Sequence, residues 1–209
     1  MHVKSKASGG PAGRGSKADQ SAATREKLER VARRLFGARG FDAVSSEELV
    51  AAARVTRGAL YHHYDGKAGL FASTVEAVMR ELHGRLVKAA GSSGDPVIQL
   101  ERGVDAFLRA CTEPATQRIL LIDGPSVLGW PAWREMDAKY GLGLLKQALA
   151  ATVRSGRLRS QDPDVLAHLL LGAMTEAAMV IARSDAPEKA RAASERAIAS
   201  VIQSWMSPV

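Results

Sequence analysis

Along most of the chain the apolar residues recur at the three-to-four-residue spacing of an α-helix, and no segment shows the strict alternation of a half-buried strand. Starting at Ser21, Leu28, Val31, Leu35 and Phe36 fall on one face with arginines and glutamates opposite, and Gly40 is placed to end that helix in the left-handed conformation. Leu49, Val50 and Ala53 give a short second helix, introduced by Ser45 and Glu48 at the spacing of a capping box. After the break RVT, Thr56 is the next N-cap, and a further short helix is expected from Arg57 to about Tyr64. Two short helices joined by a three- to four-residue turn make a helix-turn-helix candidate.

Beyond DGK a long amphipathic helix carries Phe71, Val75, Val78, Leu82 and Leu86 on its buried face and ends at GSSGDP, 91–96. Val97, Leu100, Val104, Phe107, Leu108 and Cys111 mark another helix, from Pro96 to Thr112. Residues 115–122 read as a short helix. DGPSVLGWP, 123–131, holds two glycines and two prolines and reads as a loop or kink. Met136, Tyr140, Leu144 and Leu145 then lie on one face of a helix from Trp133 towards Arg154, and two closing helices fill about 163–183 and 187–206. The expected fold is all-α with about nine helices. It divides into a disordered basic arm (1–20), which holds five glycine or proline residues, a helix-turn-helix domain (21–67) and a larger helical domain (68–209).

Composition agrees with this pattern. Aromatics are only 5 % of the 209 residues, and alanine and leucine dominate, which favours helices over sheets. A single cysteine, Cys111, rules out an intramolecular disulfide framework. The basic N-terminus lacks the apolar stretch of a secretory signal. The most apolar run, 165–175, stops at Glu176, too short to span a bilayer, so a cytoplasmic protein with no membrane partner is expected. The net charge of +7 is uneven: residues 1–67 carry 13 Lys and Arg against 7 Asp and Glu. That is the footprint of a module facing a polyanion. A solubilising tail accounts for about half of the excess, through Lys4, Lys6, Arg14 and Lys17 against Asp19.

The adjacent His62 and His63 raise the question of a metal or a catalytic site. Neighbouring helical residues point about 100° apart, and no cysteine or carboxylate is spaced to complete a metal site. No nucleophile–base–orienter set and no phosphate loop occurs either. An enzyme is therefore not expected, nor a cofactor or a metal.

The segment FGARGFDAVSSEELVAAARVTRGALYHHYDGKAGLF, 36–71, resembles the DNA-binding domain of the TetR (tetracycline-repressor) family. Leu35–Phe36, Gly40–Phe41, Ser45, Leu49, Thr56, Gly58, Leu60, Tyr61, His63, Tyr64, Lys67 and Leu70 stand in the family's register. Arg54 departs from it where glycine is usual in the turn; either it adopts a strained left-handed conformation or the turn differs. Ser46 stands at a mostly apolar position, and Tyr64 where phenylalanine is commoner. Residues 118–145 look, more weakly, like a ligand-domain segment of one branch of the family. The resemblance implies a ligand-responsive transcriptional regulator, most often a repressor. It would bind a palindromic double-stranded DNA operator as a homodimer and respond to a small-molecule effector held in the larger domain. A DNA-binding architectural protein without an effector is the alternative.

Helix physics assigns the roles at 56–67. Thr56 caps the helix so that its first N–H groups can face a phosphate. Gly58 permits close approach of a DNA backbone, or else is a packing glycine. Arg57 and His62 reach for base edges, and Tyr61 and His63 for phosphates; the alternative for all four is a solvated helix face. Lys67 has a phosphate-binding counterpart in the family, and Ser45 either touches phosphate or only caps its helix. The basic arm lies along the minor groove or is a plain linker. In the larger domain Met79, His83, Phe107, Cys111, Trp130, Trp133, Met136 and Tyr140 are candidates for a pocket lining, or else ordinary core. His83 interrupts an apolar face, where it orients a ligand or is a satisfied core histidine. Asp123, beside Gly124–Pro125, reads as a helix-end cap rather than a catalyst. Ala167, Leu170, Ala173, Ala177 and Ile181, with Ile198, Val201, Ile202 and Trp205, form a stripe suited to a four-helix dimer interface or to intramolecular packing.

Overall fold

Ser45 and Thr56 both cap, and that fixes the two short helices near the N-terminus. Ser45 Oγ accepts from the N–H of Glu48 at 3.1 Å, and Thr56 Oγ1 from the N–H of Ala59 at 3.1 Å. The computed structural model describes residues 17–91, 94–158 and 162–206. Within them the chain forms α1 (Lys17–Arg39), α2 (Ser46–Ala53), α3 (Arg57–Tyr64), α4 (Lys67–Ala90) and α5 (Pro96–Ala110). There follow α6 (114–128), α7 (130–154), α8 (Pro163–Ala182) and α9 (Pro187–Trp205). No strand occurs among the described residues, only an isolated bridge between Leu158 and Met206. The fold is all-α, with nine continuous helical runs among those residues.

Several boundaries differ from expectation. α1 begins at Lys17, four residues before the expected start at Ser21; Asp19, in its first turn, suits the positive end of the helix dipole. The arm over 1–16 lies outside the described residues. The capping box is only half formed, because the Glu48 carboxylate pairs with Arg39 instead of the Ser45 N–H. Arg54 resolves the alternative at the turn: it adopts the left-handed conformation, φ 54° and ψ 47°, where glycine would be unstrained.

The largest difference falls at 123–131, which is not a loop. α6 runs through Gly124 and Pro125 to Leu128, and the chain breaks only at Gly129, with φ +79°. Proline lacks an N–H and its ring presses on the turn before it. Here the preceding stretch, Gln117–Asp123, is wound as a π-helix, which widens the turn just ahead of the proline. The widening leaves the Leu120 carbonyl facing Pro125, five residues on, which has no proton to give. The Trp133 indole supplies one, Nε1–H to the Leu120 oxygen at 2.7 Å. Gly124 makes room for it, since a Cβ there would lie 3.0 Å from the indole ring and 2.9 Å from the Ile119 oxygen. α7 carries a second π stretch at Ala138–Leu142.

One continuous core joins the two parts. Leu28, Phe36, Leu49, Leu60, Leu70 and Phe71 are fully buried where α1, α2 and α3 meet α4. Phe36, Phe41 and Phe71 cluster there with ring centroids 5.1–5.9 Å apart. α4 continues from this cluster to pack along α5, and α8 packs on α7 and α9.

Candidate nucleic-acid interface and ligand cavity

α3 presents its N-terminal half to solvent. Leu60 is fully buried, and Tyr64 turns towards α1, where its hydroxyl donates to Glu29 Oε1 at 2.8 Å. Burial first, and then this bond to Glu29, push the Tyr64 phenol above its ordinary range. That anchors the inner face and leaves Arg57, Gly58, Tyr61 and His62 exposed, with His63 half-buried. Arg57 lies 5.7 Å from the Tyr61 ring centre and 3.2 Å from Glu47. Its guanidinium is raised above its ordinary range by Tyr61 first and Glu47 after it. The His62 and His63 rings meet edge to face at 5.0 Å. Burial, then His62 and Arg25, lower the pKa of His63.

Two glycines in this region do different work. A Cβ on Gly58 would meet only Thr56 Oγ1, at 3.8 Å, so nothing inside the protein requires glycine there. A Cβ on Gly69 would lie 1.6 Å from the Tyr64 carbonyl oxygen, so Gly69 alone lets the end of α3 sit on the first turn of α4. The left-handed Asp65 and Gly66, φ +56° and +93°, make the tight link between them.

Lys67 is placed otherwise than expected. Its ammonium donates to the carbonyls of Phe41 and Val44, at 3.1 and 3.0 Å, and lies 3.9 Å from the Phe41 ring centre. Two of its three protons thus hold the α1–α2 loop, and this use answers the cost of a cation at a helix N-terminus. Asp123 also serves that loop: its Oδ2 accepts from the Phe41 N–H at 2.7 Å, so it caps a loop 82 residues away in sequence rather than its own helix end.

Five helices, α4 to α8, line a partly open cavity of about 110 Å³. Met79, His83, Phe107, Trp133 and Tyr140 line it, as the sequence pattern suggests, together with Leu82, Leu100, Leu120, Leu121, Leu171 and Met174. Cys111, Trp130 and Met136 are not in its wall. Cys111 is buried at the end of α5, where burial pushes its thiol up to about 12. Trp130 is 55 % exposed and stacks on the outside of Trp133 at 5.1 Å. Met136 packs against the core from a partly buried position on α7, one residue from the cavity-lining Asp137. Sequence reasoning missed Asp137 and Thr175, which also line the cavity. Asp137 lies 2.5 Å from Arg134, and Thr175 Oγ1 is 3.5 Å from its Oδ2. Burial raises the Asp137 carboxyl, against the pull of Arg134. Helical spacing does mark Asp137, four residues after Trp133 and three before Tyr140, but a charged residue does not read as part of an apolar lining.

The stripe expected at a dimer interface divides in two. Ile181, Ile198 and Ile202 are core, as are Ala167 and Leu170; Ala177 and Trp205 are partly buried, and Ala173 and Val201 are exposed. The free apolar face of α8 is instead Val165, Leu169, Ala173 and Val180, with Leu169 60 % exposed. α8 has 20 residues, and an 18-residue window within it has a mean hydropathy of 1.8, so it is long and apolar enough to cross a membrane by length and composition. Periodicity cannot orient such a helix.

Comparison with known proteins converges on one family. Residues 30–74 match the family described as bacterial regulatory proteins, tetR family, and residues 97–205 the tetracyclin repressor-like C-terminal domain. The transposon Tn10 TetC protein of Escherichia coli is 26 % identical over 150 residues, covering 71 % of this chain and 75 % of that protein. The HTH-type transcriptional regulator EthR of Mycolicibacterium smegmatis is 25 % identical over 189 residues, covering 86 % and 82 %. A crystal structure of a TetR-family transcriptional regulator from Pectobacterium atrosepticum superposes with a TM-score of 0.82 at 30 % identity, covering 92 % of this chain and 98 % of that one. With the helix-turn-helix at one end and the tetracycline-repressor-like domain over more than half of its length, this chain belongs to the TetR family of DNA-binding transcriptional regulators.

Proposed function

We propose that the protein is a ligand-responsive repressor that binds a palindromic operator as a homodimer and releases it when a small molecule occupies the cavity. The observation that carries the DNA-facing half of this reading is Gly58. Glycine inside a helix costs about 0.5–1 kcal/mol relative to alanine, and no contact within the protein repays it at this position. A DNA backbone drawn against the exposed N-terminal turn of α3 would. Arg57 and His62 then face base edges, and Thr56, Tyr61 and His63 the phosphates, with Ser45 at the head of α2. Lys67 has one ammonium proton left for a phosphate beyond its two carbonyl bonds. Arg57 must leave Glu47 to reach a base, an exchange between exposed groups that costs little.

The cavity and the DNA-facing helices share two elements. α4 gives Met79, Leu82 and His83 to the cavity wall and, at Gly69, carries the end of α3. α6 gives Leu120 and Leu121 to the wall and, through Asp123, holds the α1–α2 loop. A ligand that shifts either helix changes the attitude of α3, and a coupling of about 1–3 kcal/mol suffices for such a switch. Val165, Leu169, Ala173 and Val180 on α8, with Val201 on α9, supply the apolar face for a second copy. The test is Gly58→Ala. The variant should be as stable as the parent, or more stable by about 0.5–1 kcal/mol, yet lose at least tenfold in affinity for a DNA fragment from its own upstream region. Undiminished binding by a stable Gly58→Ala protein would remove the support for this surface.

A further inference from the structure

The Trp133, Tyr140 and Thr175 donors in the cavity wall are already committed inside the protein. Trp133 Nε1–H goes to the Leu120 carbonyl at 2.7 Å, and the Tyr140 hydroxyl to Glu76 at 2.8 Å. The Thr175 hydroxyl faces Asp137 Oδ2 at 3.5 Å. His83 Nδ1 lies 2.7 Å from the carbonyl oxygen of Tyr140. A carbonyl only accepts, so Nδ1 carries a proton, and in the neutral form of the ring Nε2 is the acceptor. Another polar group of the wall, the Asp137 carboxylate, is also an acceptor; its side chain is only 14 % exposed, and Arg134 already neutralises its charge. Apart from Gln99, the remainder of the wall is Leu, Met, Phe, Val, Ala and Gly.

An apolar wall with acceptors at His83 and Asp137 selects its occupant. A carboxylate or phosphate would face Asp137 with no cation in the wall to receive it. An ammonium ion would lose its hydration against a carboxylate that Arg134 has already compensated. A neutral molecule that brings its own donor meets neither penalty. Size narrows the class further: about 110 Å³ is of the order of the engineered apolar cavity of about 150 Å³ that holds benzene.

Resting on the effector reading above, we propose that the cavity takes a neutral single-ring molecule bearing a hydroxyl, of the phenol type, whose O–H donates to His83 Nε2. The apolar ring lies among Leu100, Phe107, Leu121 and Met174. His83 is then the residue that discriminates between ligands, while Tyr140 fixes its tautomer.

Calorimetric titration of the full chain with phenol, toluene and benzoate, three ring compounds of similar size, tests this. Phenol should bind at least as tightly as the more apolar toluene, and benzoate should not bind. In His83→Leu the phenol-to-toluene affinity ratio should fall about tenfold, with toluene itself changed less than about twofold. A ratio unmoved by His83→Leu, an equal loss of both ligands, tighter binding of benzoate, or no binding of any of the three would each overturn the proposal. Measuring operator release in the same samples separates it from the effector reading: phenol that binds with the predicted ratio but leaves DNA bound would sink the effector role and uphold the ligand class.

Discussion

The exposed face of α3 and the cavity are built over different distances along the chain. The groups on α3 owe their positions to caps and anchors close at hand: Thr56 starts the helix, Leu60 and Tyr64 hold its inner face, and the rest stands in solvent. The cavity gathers residues from five helices, from Met79 to Thr175; Tyr140 lies in one π-wound stretch, and Trp133 bonds a carbonyl of the other. The first surface is a short pattern displayed, and it keeps its geometry as long as α3 is seated. The second is a void left between long elements, and its shape depends on how each of them packs. A partner that grips the first needs only a rigid docked helix, whereas a ligand in the second presses on the core itself.

Substitutions can break that contrast, beginning with the seat shared by both regions. Gly69→Ala drives a methyl group into the Tyr64 carbonyl and should destabilise the protein by about 3 kcal/mol, a fall of roughly 6–12 °C in melting temperature, with DNA binding lost as α3 is displaced. Differential scanning calorimetry reads it directly. An unchanged melting temperature would mean that α3 does not rest on α4.

Lys67→Met keeps the aliphatic stem and leaves the Phe41 and Val44 carbonyls without their donor. A loss of about 2 kcal/mol is expected, with a salt dependence of DNA binding that changes by less than one unit. The reverse result, a slope flatter by a full unit in a protein of undiminished stability, would return Lys67 to a purely phosphate-binding role. On the cavity side, Trp133→Phe strips the Leu120 carbonyl of its donor and leaves a void where part of the indole stood. It should cost about 1–2 kcal/mol in chemical denaturation while leaving affinity for DNA within about twofold. A large effect on DNA binding there would show that the two regions are more tightly joined than the geometry indicates.

The smallest effect concerns pH. His63 has its folded-state pKa lowered by burial, then by His62 and Arg25, so the free protein resists protonation there. A phosphate alongside would raise it again, so DNA binding takes up a proton and affinity should increase as pH falls below the ordinary histidine value of about 6.5. A several-fold rise between about pH 7 and 6 is expected, and fluorescence anisotropy should show it flattened in His63→Gln. A profile that rises equally in the variant would move the linkage to another group.

Much of this molecule was legible without its three-dimensional structure. Helix starts at Ser45 and Thr56 were readable because caps act over three residues, and the inner face of α3 because burial follows the helical period. The stretch 123–131 misled because glycine and proline act locally as breakers, yet a π turn ahead of Pro125 and a tryptophan eight residues beyond it kept the chain helical. The stripe on α8 and α9 divides between core and surface for another reason: α8 exposes Val165, Leu169 and Val180 as well as burying Leu166, Leu170 and Ile181, so apolar character alone does not tell its inward face from its outward one.

The sequence by itself determined the helices, their order and the chemistry offered at 56–64, because caps, periodicity and exposed side chains are set by near neighbours. Tertiary structure alone decided that Lys67 turns inward to the α1–α2 loop, that Asp123 reaches back across 82 residues to Phe41, and that His83 and Asp137 share a cavity. Those are choices of direction among packed helices. Direction depends on which faces meet, and that is fixed only when the whole core closes.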